Sequence, residues 1–135
     1  FGIGGSVDHL WDSTDRLTEA DFGPSIYLGT SHLLVGIQPS MLVSAGNGVQ
    51  TEYGGGLRTL TSYMNDRFIA GFDPLLGRIN AQWFYDLKAS VGYRMTPALS
   101  MNVGYSYRDI LNLNDLDVSH ASLKGAFVRL GVRMN

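Results

Sequence analysis

The feature that most narrows what this chain can fold into is a period-two alternation of apolar and polar residues, the spacing of side chains along an extended strand. It is cleanest from Trp83 onward. Odd positions read Trp83, Tyr85, Leu87, Ala89, Val91, Tyr93 and Met95, with Phe84, Asp86, Lys88, Ser90, Gly92 and Arg94 between them. After a short Thr96-Pro97-Ala98 turn, Leu99, Met101, Val103, Tyr105 and Tyr107 alternate with Ser100, Asn102, Gly104, Ser106 and Arg108. Pro97 presets the φ angle that such a turn needs. The last stretch sets Ala126, Val128, Leu130, Val132 and Met134 against Gly125, Phe127, Arg129, Gly131 and Arg133. Each of these three strands has one apolar and one polar face.

The same pattern, noisier, predicts strands over 22–30, 32–45 and 67–76, and more weakly over the glycine-rich 1–11 and 52–63. The total is about eight, each near the ~9–11 residues that cross a bilayer when tilted. Pro39 removes a ladder donor and is expected at an edge or a bulge. Residues 12–21 (DSTDRLTEAD) and 109–121 (DILNLNDLDVSHA) read as polar loops, whereas the joins at 30–32, 65–66 and 96–98 are tight. Long loops at one end and short turns at the other predict an up-and-down barrel of the outer-membrane type.

Composition bears on which way the two faces point. Charged residues make up 16% of the chain, against roughly 25% in soluble domains, and lysine occurs only at Lys88 and Lys124. The longest apolar run, 33–45, is broken by Gly36, Gln38, Pro39 and Ser40, well short of the ~20 residues of a membrane helix. A membrane, if present, is crossed by strands. The polar face carries Asp86, Lys88, Arg94, Arg108, Arg129 and Arg133 among glycine, serine and asparagine. About eight strands leave an interior that side chains fill, so these six are expected to neutralise one another inside it. Lining a pore or proton path is their alternative role. Trp83, Tyr85, Tyr93, Tyr105 and Tyr107 are expected at the membrane interfaces, where aromatic girdles flank an apolar band.

The expectation is an all-β, antiparallel, up-and-down transmembrane β-barrel occupying residues 1–135 as a single domain. The opposite orientation, apolar side inward, would make a soluble, lipocalin-like lipid-binding barrel.

The run 82–108, QWFYDLKASVGYRMTPALSMNVGYSYR, resembles the penultimate hairpin of small Gram-negative outer-membrane barrels of the OmpA-like, OmpW-like and opacity-protein-like families. In these a Gly-Tyr strand, a Thr-Pro turn and a second Gly-Tyr strand recur. The ending SLKGAFVRLGVRM is similar to their closing strand. The resemblance covers about 82–134 and implies a Gram-negative outer-membrane location, with lipid or lipopolysaccharide as the surroundings. It also implies a structural, anchoring or surface-interaction role, with loops 12–21 and 109–121 as the places for a protein partner. Members end on an aromatic residue, whereas this chain ends Met134-Asn135. Either a few residues are missing or the chain is part of a larger one.

For chemistry, the sharpest pair is His120 and Ser122, two apart and so on one face of a strand, where the imidazole would activate the hydroxyl as general base. A similar His-x-Ser pair occurs in outer-membrane phospholipases and lipid A deacylases. Asp115 or Asp117 is the candidate third member. The competing reading, a polar loop meeting a strand at headgroup level, is the commoner situation, and the expectation leans to no catalysis. The run 112–117 (NLNDLD) lacks the glycine and terminal glutamate of an EF-hand loop. His9 and His32 have no partner at metal-ligand spacing, and Gly2-Ile3-Gly4-Gly5 lacks the Lys-Ser/Thr of a phosphate loop. No metal or cofactor is expected. A net charge of −2 argues against nucleic acid, which selects basic surfaces. Zero cysteines exclude disulfides and thiolate chemistry. The hydrolase alternative predicts that Ser122→Ala abolishes phospholipid deacylation; activity unchanged from background in both chains removes it.

Overall fold

The computed structural model describes residues 2–11, 16–46, 49–79, 82–111 and 123–134. Eight strands run β1 (Gly2–Trp11), β2 (Arg16–Gly29), β3 (Leu33–Gly46), β4 (Val49–Asn65), β5 (Phe68–Ile79), β6 (Gln82–Arg94), β7 (Leu99–Leu111) and β8 (Leu123–Met134). Each pairs antiparallel with the next, and β1 pairs with β8 to close the barrel. Closure removes every sheet edge, so no row of backbone donors and acceptors is left unpaired at a rim strand.

Alternation in sequence becomes alternation of inside and outside. On β6, Leu87 and Val91 face out while Asp86 and Lys88 are 0% and 1% exposed. On β7, Val103 is 49% exposed beside the buried Asn102 and Ser106. The exterior is the apolar face and the interior the polar one. This reverses the lipocalin-like arrangement and excludes that alternative. Phe84 and Phe127, which break the alternation, turn inward at 3% and 1% exposure. Phe84 joins Leu42 and Leu75 in a small apolar cluster inside the barrel.

Several strands are longer than their periodicity suggests. β2 begins at Arg16, so 16–21 is strand, and only 12–15 separates it from β1. The acidic run there reads as a loop by soluble-protein habit, but in an inverted barrel the inward face accepts Glu19 and Asp21. β7 likewise continues through Leu111, which leaves 112–122 as the connection to β8. At that end of the barrel, the loop end, β3–β4 and β5–β6 are joined by residues 47–48 and 80–81 alone. The expected contrast between long loops and short turns therefore rests on the single connection 112–122.

Pro39 sits neither at an edge nor at a bulge. The register that pairs Phe22 with Met41 and Ile26 with Ile37 sets Pro24 opposite Pro39, and the pairing lapses over the positions between. Two residues without an N–H share one gap in the ladder. The irregularity between β3 and β4 lies elsewhere, at Ser44/Gly46. Pro74 follows the same logic, keeping its pairing with Leu87 of β6 while the β4 side lapses between Arg58–Leu75 and Thr61–Phe72. Beside the proline pair, β2 approaches β3 so closely that a Cβ on Gly23 would lie 1.8 Å from the Pro39 carbonyl oxygen. Gly23→Ala is expected to destabilise the barrel by about 1–3 kcal/mol, the usual cost of overpacking. The check is a lowered midpoint of urea unfolding.

Candidate functional site: an interior ion network beneath a polar vestibule

The inward side chains of the loop-end half meet in a connected set of ions. Lys88 Nζ donates to Asp8 Oδ2 at 2.6 Å and to Glu19 Oε1 at 3.2 Å, and it lies 3.5 Å from Asp86 Oδ2. Arg108 bridges Glu19 Oε2 at 2.7 Å and Asp86 Oδ2 at 2.8 Å. Arg129 donates from Nε to Asp8 Oδ1 at 2.7 Å and from Nη1 to Asp73. Nearer the middle, Arg58 Nη1 meets Asp21 Oδ2 at 2.7 Å. Hydroxyls complete the carboxylate shells, Ser44 on Glu19 at 2.9 Å, Ser106 on Asp86 at 2.8 Å and Ser6 on Asp21 at 2.8 Å. Every strand takes part, since β3 supplies Ser44 and also Gln38, which donates to Asp21 at 3.4 Å.

The aromatic rings inside serve these cations. The Arg108 guanidinium lies 4.5 Å from the centroid of Phe84, and Arg129 and Lys88 lie 5.2 and 5.8 Å from that of Phe127. A cation above a ring face is held by its quadrupole, more strongly where water is excluded. The two phenylalanines therefore do more than fill space.

Toward the turn end, closed by residues 30–32, 66–67 and 95–98, the interior opens into a cavity of about 470 Å³. Arg58, Asp21, Arg129 and Asp73 line it from the network, and Arg94 and Arg133 line it near the turns. Ser62, Ser90, Ser100 and Asn102 supply polar wall. Arg94 donates to the Met64 sulfur, and the Arg133 guanidinium lies 3.9 Å from the Tyr27 ring centroid.

Of the six charges expected inside, Asp86, Lys88, Arg108 and Arg129 join the network. Arg94 and Arg133 also face the interior and line the vestibule nearer the turns, farther along β6 and β8 than Lys88 and Arg129. Sequence reading missed Asp8, Glu19, Asp21, Arg58 and Asp73, all at most 4% exposed. Parity was the available signal for Arg58, which shares the inward face with Gly54 and Gly56. Glu19 and Asp21 were hidden by the loop assignment.

Outside, Trp83 and Tyr85 lie at the loop end, where Tyr85 and Tyr107 rings are 6.0 Å apart. Tyr93 lies at the turn end, its hydroxyl accepting from Arg67 at 3.1 Å. Tyr105 is a correction: it pairs with Ala89 at mid-strand, away from either rim. Trp11 and Tyr53 join the loop-end rim, and Tyr63 and Phe68 the turn-end rim. His9 pairs with Thr18 Oγ1 at 2.8 Å, and His32 donates to the Met64 carbonyl at 3.1 Å. His120, Ser122, Asp115, Asp117 and the run 112–117 lie outside the described residues.

No protein-family model matches this chain, and no curated protein matches it. Among solved structures, one titled "De novo design of transmembrane beta-barrels" superimposes with a TM-score of 0.63 at 10% identity, covering 98% of this chain and 95% of that one. The fold is that of an eight-stranded transmembrane β-barrel.

Glu19→Gln removes the carboxylate that two cations share. Breaking a buried ion pair from one side costs about 3–5 kcal/mol, because the remaining charge stays desolvated. The expected result is a large loss of urea stability, partly restored in Glu19→Leu/Arg108→Met.

Proposed function

We propose that this chain is an integral protein of a Gram-negative outer membrane, with a structural, anchoring or surface-interaction role and no catalysis. The observation that carries the reading is the apolar belt. Ile3, Val7, Phe22, Ile26, Val35, Ile37, Phe72, Val91, Val103 and Leu130 are all 44–55% exposed. A contiguous apolar exterior of this kind far exceeds the few hundred Å² that soluble monomers tolerate. Hydrocarbon satisfies it, and a closed barrel leaves no ladder edge to face the lipid.

Both rims pair a cation with an aromatic ring: Arg67 with Tyr93, Arg78 with Trp83, and Lys124 with Tyr107, at 5.0–6.0 Å from the ring centroids. Aromatic residues at headgroup depth and basic residues beside them suit lipid or lipopolysaccharide phosphates. A protein partner would be met through the connections 12–15 and 112–122, at the loop end. The buried ions support a structural role for the interior, since they fill its loop-end half instead of lining an open channel.

Folded into detergent micelles, the protein is expected to migrate faster on a gel unheated than boiled. Tryptophan emission should shift to the blue in vesicles and be quenched by lipids brominated near the headgroups. A chain that stays monodisperse in buffer without detergent overturns the reading.

A further inference from the structure

Parity sorts the charges of the loop-end half by sign. On these strands the carboxylates Asp8, Glu19 and Asp86 turn inward and are buried, whereas Arg16, Arg78 and Lys124 are exposed. Arg16 pairs with Trp11, Arg78 with Trp83 and Lys124 with Tyr107. Partners directly opposite in a ladder share one face of the sheet, so all three cations stand on the outer face with those rings. Among the described residues, one outward carboxylate shares the rim, Asp109, opposite Tyr85 on β6. At the turn end the outward cation is Arg67, and Asp66 precedes it in the same turn. The two ends of one apolar belt therefore carry different charge.

We infer that the loop-end rim, from β5 through β8 to β2, gathers anionic phospholipid headgroups around the barrel. The inference rests on the membrane reading and names the lipid that this rim prefers. Arg78 lies 6.0 Å from the Trp83 ring centroid and Lys124 5.0 Å from that of Tyr107. A ring face attracts the charge without using a hydrogen-bond donor, so the N–H groups remain available to phosphate oxygens. Long cationic side chains carry their heads to the headgroup layer while their stems stay on apolar surface. An anionic surface attracts each such residue within a Debye length. β5 and β8 are three strands apart, roughly 14 Å at the usual strand spacing, so Arg78 and Lys124 meet separate headgroups. The rim thus enriches a class of lipid and does not clasp a single molecule.

Both tryptophans of the chain, Trp11 and Trp83, lie on this rim, so their fluorescence reports it alone. The test folds the protein into phosphatidylcholine vesicles containing a rising fraction of phosphatidylglycerol brominated near its headgroup, or of phosphatidylcholine brominated at the same positions. Equal quenching is expected at a roughly fivefold lower fraction of the anionic lipid, the scale of one basic residue near a charged surface. Arg16→Gln/Arg78→Gln/Lys124→Gln should bring the two lipids together, as should molar salt, which shortens the screening length to about 3 Å. Trp11→Phe/Trp83→Phe/Tyr63→Trp moves the reporter to the turn-end rim, where no preference is expected. Faster migration of unheated samples confirms a closed barrel in each chain. A closed barrel quenched equally by both lipids, or more by the zwitterionic one, overturns this inference and leaves the membrane reading standing. So does a preference that survives loss of the three cations or is as strong at the turn end. Emission that neither lipid quenches overturns the membrane reading and this inference with it.

Discussion

The structure depends on the pairing of opposite charges inside a cylinder. An apolar core holds most small proteins together from within, but this chain turns its apolar residues outward and needs another internal glue. Lys88, Arg108 and Arg129 supply it by each meeting at least two carboxylates contributed by different strands. A buried pair standing alone is weakly stabilising at best. Shared ions change the balance, because Asp8, Glu19 and Asp86 each also accept from a hydroxyl or a second cation. The contacts span strands far apart in sequence, so the network reports on closure of the whole barrel.

That choice of interior explains the exterior. Once charges occupy the inside, parity forces the alternate residues out, and these are valine, leucine, isoleucine and aromatics. Such an outer face suits hydrocarbon in place of water, an environment in which the backbone must be paired all the way round. The prolines test this rule. Pro24 and Pro39 fall opposite each other, and Pro74 keeps one side of its pairing, so three missing donors open only two lapses in the ladder.

The two halves of the interior differ for a reason visible in side-chain size. Leu10, Leu42, Leu75, Phe84 and Phe127 occupy the loop-end half with the larger ions. Glycine and serine dominate the inward face toward the turns, as at Gly4, Ser6, Ser62, Gly71 and Ser90, and leave space there. Filling one half and hollowing the other gives the barrel a plug and a vestibule with distinct electrostatics.

Alternation from Trp83 to Arg108 and along β8 was enough to read three strands, their faces and the class of fold. It also placed Asp86, Lys88, Arg108 and Arg129 on the inward side, because parity along a strand is a local property. The extent of β2 was not readable, since an acidic run such as 16–21 is strand or loop depending on what lies across the barrel. Nor could the sequence pair Asp8 with Arg129, some 121 residues away, or separate Arg94 from the network, because both follow from register between strands. Period two is written in the chain itself, whereas which ions meet is decided only when β1 closes on β8 and sets the height of every side chain in the cylinder.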